Sequence, residues 1–135
     1  MNVNEFVLRK YSELVATINL DIYVAGAVPP SKNYPFAVIS EVQVSERLVR
    51  PHRQWVVFGT IEVVTGSKSP IGWTTCMQLS EDVDGVINNG VQHKGNGYIM
   101  HSTYLQNSLT IPEQGDFGYV YRNIMTYIHQ VSFAT

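Results

Sequence analysis

The sequence is poor in charged side chains and contains a single cysteine. Asp, Glu, Lys and Arg make up 15% of the 135 residues, against about a quarter in an average globular domain. This deficit is typical of a chain that hides part of its surface in an oligomer. The single cysteine, Cys76, excludes an internal disulfide, and its apolar neighbours predict a small buried residue rather than a catalytic thiol.

Motifs that carry catalysis or metal binding are also missing. The four histidines form none of the spacings of a zinc site, although His101 and His129 could meet across paired strands. No serine lies in a nucleophile motif, and there is no glycine-rich loop of the nucleotide-binding kind. We therefore expect no catalytic residues, no metal and no cofactor, and a protein that is not an enzyme.

Neither a strong net charge nor a long apolar run is present. The net charge of −2 provides no overall positive field to attract nucleic acid. No stretch approaches the run of about 18 apolar residues that spans a membrane. The beginning of the chain lacks the basic start and the apolar run of a signal peptide. We therefore expect no membrane contact, and synthesis and folding in the reducing cytoplasm of a cell.

The hydrophobic pattern predicts a mixture of strands and two helices. Apolar residues recur every three or four positions over two segments, which predicts amphipathic helices, the first with Asn4 as a candidate N-cap. Alternating patterns predict strands near 22–25, 36–44, 54–65, 97–105 and 119–133. The order α-β-β-β-α-β-β predicts a single α+β domain over residues 1–135. We expect a two-layer sandwich, in which two helices cover a mostly antiparallel sheet of about four to five strands.

A basic segment between two predicted strands is the first candidate interaction surface. Residues 45–53 are predicted to form a surface connector, which contains Arg47, Arg50, His52 and Arg53. It is compatible with a solvated loop, with contact to an acidic neighbouring subunit, or with contact to DNA. Three arginines without a base-reading element would bind DNA only weakly and without sequence preference.

Two further surfaces have candidate roles in contacts between subunits. An acidic cluster lies on the second predicted helix, at Glu81, Asp82 and Asp84, and is either a solvated face or a charged contact to a neighbour. Tyrosines are frequent in the C-terminal strands, where they are typical either of an interface or simply of a sheet. The alternatives at both surfaces stay open at the level of the sequence.

The second candidate surface is a loop stiffened by proline. It follows Ile22-Tyr23-Val24 and contains Val28-Pro29-Pro30 and Tyr34-Pro35-Phe36-Ala37-Val38-Ile39. This order, after an N-terminal helix and before a long strand, resembles the tail completion or tail terminator proteins of long-tailed bacteriophages. The resemblance covers residues 6–131 and includes the closing strand, 121–127. Pro29, Pro30, Tyr34 and Pro35 are the loop residues that we expect at an interface.

The resemblance implies a structural virion protein that assembles into a ring. In that family a hexamer sits on the head-proximal end of the tail tube, stops tube polymerisation and offers a surface to the head connector, while DNA passes through its centre. The implied partners are other copies of the chain, the tail tube and head connector proteins, with non-specific DNA contact in the lumen. The implied location is the tail or neck of a virion assembled in the host cytoplasm. The alternatives are another head-to-tail connector ring, with a dodecamer as its expected form, and a non-viral oligomerising binding module.

Overall fold

Two helices and six strands make up the part of the chain described by the computed structural model, which covers residues 2–29, 33–49, 52–69, 72–90, 92–115 and 118–134. In chain order the elements are α1 (Val3–Ala16), β1 (Ile22–Val24), β2 (Phe36–Val49), β3 (His52–Ser67), α2 (Trp73–Ile87), β4 (His93–Gly95), β5 (Tyr98–Gly115) and β6 (Gly118–Phe133). The predicted α+β class is confirmed.

All six strands belong to one mixed sheet, with the order β1-β2-β3-β6-β5-β4. β1 and β2 are parallel, and every other neighbouring pair is antiparallel. The predicted count of four to five strands is therefore wrong. The missed strand is β4, which is three residues long and forms only because β5 supplies its partner. So short a segment has no alternation that a sequence pattern can detect.

The predicted connector 45–53 is also wrong, because both flanking strands continue through it. β2 pairs with β3 as far as Val49 opposite His52, so the two strands form one long hairpin. Polar and charged residues interrupt the apolar alternation here, and the sequence pattern ends. Main-chain pairing does not need apolar side chains, and it extends beyond the point where the pattern fails.

Both helices pack on the same face of the sheet, which we call the covered face. α1 begins after Asn2, whose side chain accepts a hydrogen bond from the backbone N–H of Glu5 at 2.9 Å, so the predicted cap at Asn4 is two residues late. The buried residues of α1 and α2 join those of the strands in one hydrophobic cluster. Each helix therefore has an apolar stripe that is buried against the sheet, as its periodicity predicts.

Strand register decides which side chains enter this core. β3 contributes Trp55, Val57, Ile61 and Val63, all buried, from the face that the sequence alternation predicts. The neighbouring positions of β3 lie on the opposite face, which we call the open face. Cys76 of α2 is fully buried, and burial raises the pKa of its thiol, which confirms the predicted structural role.

A buried polar network crosses the core beneath α1. The hydroxyl of Tyr11 hydrogen-bonds to Nε2 of His129, and Nδ1 of His129 lies 2.9 Å from the hydroxyl of Thr103. Tyr11 and His129 are both fully buried. A neutral imidazole has one acceptor nitrogen and one N–H donor. If Nε2 of His129 accepts from the Tyr11 hydroxyl and Nδ1–H donates to the Thr103 hydroxyl, both ring nitrogens are satisfied. The network ties α1 to β6 and β5.

A second polar contact ties α2 to the sheet and leads to a prediction. The hydroxyl of Tyr127 donates to Oδ1 of Asp84 at 2.9 Å, and burial together with that carboxylate raises the pKa of the tyrosine. Tyr127→Phe should lower the free energy of unfolding by about 1–2 kcal/mol, since a charged acceptor loses its donor. Urea titration measures the loss. Tyr104→Phe, at an exposed tyrosine of β5, is the matched control and should leave stability unchanged; equal losses would contradict the role of Asp84.

Candidate functional site: the sheet edges

The basic candidate residues lie at the end of the β2–β3 hairpin. Arg47 is opposite Gln54, Arg53 is opposite Leu48, and His52 is opposite Val49. Arg50 lies outside the described residues. The hairpin thus places Arg47 and Arg53 on paired strands, close to one end of the sheet.

The proline-rich loop lies at the other end of β2. Val28 packs on a small cluster of Phe36, Val38, Val64 and Val120, so the loop covers one end of the open face. The ring of Tyr34 stacks on Phe36 with 5.6 Å between ring centres, and the Tyr34–Pro35 peptide is cis. Pro29, Tyr34 and Pro35 are exposed, and Pro30 lies outside the described residues.

The two sets of candidate residues therefore do not form one site. They flank opposite ends of β2, which runs from Phe36 to Val49. At about 3.3 Å per residue, those ends are separated by up to roughly 40 Å. Any partner that touches both must extend along the length of the sheet.

The most distinctive feature of the described part of the molecule is a pair of open sheet edges. β1 covers the outer edge of β2 at residues 37–39, and β4 covers that of β5 at residues 98–100. Among the strands that the structure describes, none pairs with the outer edge of β2 over residues 41–49 or of β5 over residues 101–115. These two stretches present unpaired backbone groups on opposite sides of one sheet.

Backbone hydrogen bonds show which residues of β2 face its open edge. The N–H of Ala37 donates to the carbonyl of Asp21 at 2.8 Å, and the carbonyl of Ile39 accepts from Ala25 at 3.0 Å. Alternate residues of β2 thus face away from β3. The bulge between Ile39 and Glu41 shifts this alternation by one residue. The outward-facing set then continues as Val42, Val44, Glu46 and Leu48.

The registers of β3 with β6 and of β6 with β5 extend this alternation to β5. They show which residues of β5 have backbone groups that face its open edge. β5 has two bulges of its own, between Met100 and Ser102 and between Leu105 and Asn107. With those shifts, the backbone groups that face outward belong to Thr103, Leu105, Ser108, Thr110 and Pro112. Proline has no N–H to leave unpaired, and an outward-facing edge position is where a strand tolerates it.

A groove lies beside each open edge, between the edge strand and a helix. The groove beside β2 has a volume of about 280 Å³ and lies under α1, with Leu8, Val24, Ile39 and Val42 among its lining residues. The groove beside β5 has a volume of about 200 Å³ and lies under α2. It is lined by Met77, Ser80, Glu81, Asp84, Leu105, Ser108, Asn123 and Met125.

The acidic cluster of α2 has two different environments. Glu81 and Asp82 are exposed, and Asp82 accepts a hydrogen bond from the side chain of Gln78 at 3.1 Å. Asp84 is half-buried and accepts from Tyr127. Glu81 and Asp84 also line the groove beside β5, and none of the described residues that line it is basic. Acidic side chains therefore dominate the charge of the described lining.

The open face has an apolar surface around one ion-pair cluster. Tyr104 and Leu109 of β5 are 53% and 59% exposed. Arg122 bridges Glu62 at 3.0 Å and Glu113 at 3.2 Å, across β3, β6 and β5. By contrast, Tyr98, Tyr121 and Tyr127 are buried, so most tyrosines of the C-terminal strands belong to the core.

The described residues form neither a metal-binding cluster nor a membrane-spanning helix. No group of three or more His, Cys, Asp and Glu side chains is arranged to hold a metal ion within the described ranges. His101 contacts Ser132, whereas His129 contacts Tyr11 and Thr103. In the same part of the chain, neither helix has the length and apolar character needed to cross a bilayer.

Comparison with known proteins identifies the fold. No protein-family model and no curated protein sequence matches the chain. Among solved structures, a chain from the virion of a native gene transfer agent (GTA) particle matches with a TM-score of 0.60 and 13% sequence identity. The match covers 88% of this chain and 84% of that chain. The protein has the fold of a component of that particle.

Sequence reasoning selected the basic segment and the proline-rich loop as candidates, but it did not predict the continuing hairpin, the location of the open edges or the grooves. An open edge is a property of the sheet order, because a strand has an unpaired side only when no other segment pairs with it. One local indication was available, since Pro112 lies within the apolar alternation of β5. A proline at such a position predicts an edge strand.

Proposed function

We propose that this chain is a structural virion protein that forms a ring at the head-proximal end of a phage tail. In this role it caps tail-tube polymerisation and joins the tail to the head connector. It has no catalytic function, and its partners are other copies of itself, the tail tube and connector proteins. The location is the tail or neck of a virion assembled in the host cytoplasm.

The observation that carries the proposal is the shared fold with a chain of the gene transfer agent virion, over most of both chains. The sequence resemblance to tail terminators, in the first helix and the proline-rich loop, supports the same role independently. The low charge content and the two open edges are further support, because a closed ring removes such edges from solvent.

A neighbouring ring of the head-to-tail connector is the second candidate. The structural match names a virion and not one of its layers, so the same observation supports any ring of the neck. The two candidates differ in subunit number and in partner. A hexamer that binds tail-tube ends supports the terminator, and a dodecamer that binds the connector supports the neck ring.

The deciding experiment combines mass and partner binding. Light scattering over a concentration series, followed by negative-stain imaging, should show rings with a hexameric mass. Purified tail-tube protein should then polymerise to shorter tubes, with the ring on one end, when this protein is added. Tubes of unchanged length that carry no ring would contradict the terminator role. A monomer that also fails to bind tubes would favour a non-viral binding module.

The basic hairpin leads to a prediction within this function. Arg50→Glu combined with Arg53→Glu should leave the chain folded, by circular dichroism, and should weaken ring formation or tube capping by about tenfold, because a charged contact becomes repulsive. Arg9→Glu with Lys68→Glu changes the net charge equally at exposed sites and is the control. If both double variants assemble and cap tubes like the native chain, the hairpin is not part of a protein interface. DNA binding of the hairpin variant that has the native affinity and salt dependence would also exclude contact of the hairpin with DNA in the lumen.

A further inference from the structure

We propose that copies of this chain join head to tail by strand pairing, with the open edge of β2 in one copy against the open edge of β5 in the next. The six-stranded sheet would then continue from subunit to subunit. The inference rests on the proposed ring function and specifies the contact that closes the ring.

Strand direction makes the two edges compatible. β2 is antiparallel to β3, β3 to β6, and β6 to β5, so β2 and β5 run in opposite directions within one copy. A second copy placed beside the first in the same orientation therefore brings its β2 antiparallel to the first copy's β5. Unlike edges on opposite sides of one sheet give a heterologous contact, which closes into a ring when the rotation between copies permits.

The lengths of the open stretches also agree. Residues 41–49 of β2 form a stretch without a bulge that can lie along part of residues 101–115 of β5. β1 and β4 cover the remaining part of each edge. The open stretches are thus limited at one end by a short covering strand.

Side chains of the added strand meet the helix layer of the neighbour. Strand addition obtains affinity from main-chain hydrogen bonds and specificity from pockets for alternate side chains. The outward-facing residues Val42 and Val44 of β2 pack on the covered face, so in the paired arrangement they lie on that face beside the neighbour's β5. Because β1 covers residues 37–39 of β2, residues 41–49 pair with the later part of the β5 edge, toward Gly115.

Strand direction and edge composition point to a second copy as the occupant, because β2 of an identical sheet runs antiparallel to β5 at this edge. Natural edge strands that must stay unpaired often have lysine on them. Residues 101–113 contain no Lys or Arg, and the single proline is near the end of the strand. β5 therefore has little protection against an added strand.

The test blocks each edge separately with proline. Ser108→Pro removes an outward-facing N–H of β5 and leaves the bonds to β6, and Glu46→Pro does the same for β2. Ser108→Ala is the matched control, since it also loses the hydrogen bond from Ser108 to Asn123 but keeps the N–H. Glu46→Ala is the control for the other edge. Circular dichroism and thermal melting verify that all four variants fold.

Mixing the two proline variants tests the head-to-tail geometry. Each variant alone should associate at least about tenfold more weakly than the native chain, as light scattering measures, while the alanine controls associate normally. Each proline variant still has one intact edge of the complementary kind. An equimolar mixture should therefore form a one-to-one dimer and nothing larger.

Other outcomes overturn the inference and leave the proposed function separately testable. Assembly of both proline variants like the native chain would exclude edge pairing, even if the rings cap tail tubes. Assembly of Glu46→Pro alone would indicate a β5–β5 contact. A native chain that is monomeric up to its solubility limit would also overturn the inference, while tube capping would still decide the proposed function. Conversely, edge-dependent assembly without capping would retain the pairing and reject the terminator.

Discussion

Gly59→Ala should destabilise the protein by about 3 kcal/mol and lower its Tm by roughly 10 °C. Gly59 is in the middle of β3, and the ring of Tyr11 packs directly over it. A Cβ at this position would overlap the Tyr11 hydroxyl and lie 2.7 Å from Cζ of the ring. Tyr11 is fully buried and hydrogen-bonded to His129, so it has no room to withdraw.

A second glycine of the same chain provides the control. Gly85 is an exposed residue of α2, and a Cβ there would meet nothing within 4 Å. Gly85→Ala should therefore raise the free energy of unfolding by up to about 1 kcal/mol, because alanine has the higher helix propensity. Denaturant titration of the two variants against the native chain measures both effects. A Gly59→Ala variant as stable as the native chain would show that α1 does not lie over β3 as described.

The stability of the protein should fall as the pH is lowered from about 6.5 toward 3, in part because of His129. Burial, and secondarily the charge of His93, lowers the pKa of His129 to about 3, from an ordinary value near 6.5. The folded-state pKa is the lower one, so between these values the unfolded state binds the additional proton. Protonation therefore favours unfolding, and the loss approaches about 1.4 kcal/mol per pH unit within that window.

Substitution isolates the contribution of this one side chain from that of the carboxylates. His129→Gln should be less stable than the native chain at pH 7, since the contacts to Tyr11 and Thr103 are disturbed. Its free energy of unfolding should, however, depend less steeply on pH between about 4 and 6. Identical slopes for the native chain and His129→Gln would mean that His129 binds its proton equally well in the folded and the unfolded state.

Local periodicity is sufficient to predict most of the elements of this fold. The alternation over residues 119–133 predicts β6 to within one residue of its bounds. The faces of β3 follow from the same rule, because burial of Val57 and Ile61 is the reason that the alternation exists. The fold class could be derived from these elements alone.

The features that define the candidate site depend on long-range pairing and could not be predicted in this way. The bulges in β2 and β5 exist relative to a partner strand, and no pattern within either strand encodes them. The loop-like composition of residues 45–53 concealed the continuing hairpin. The open edges follow from the sheet order, in which β6 is inserted between β3 and β5. These properties belong to the assembled sheet.

The sheet order also has a consequence for biosynthesis. β6 follows every other strand along the chain, yet it is the strand that joins the half containing β3 to the half containing β5. While the ribosome is still translating β6, the two halves have no shared strand, and the core under the helices is incomplete. Non-local pairing of this kind makes folding slow and late. Self-assembly through complete subunits would therefore have to wait until β6 has been synthesised and has paired with both β3 and β5.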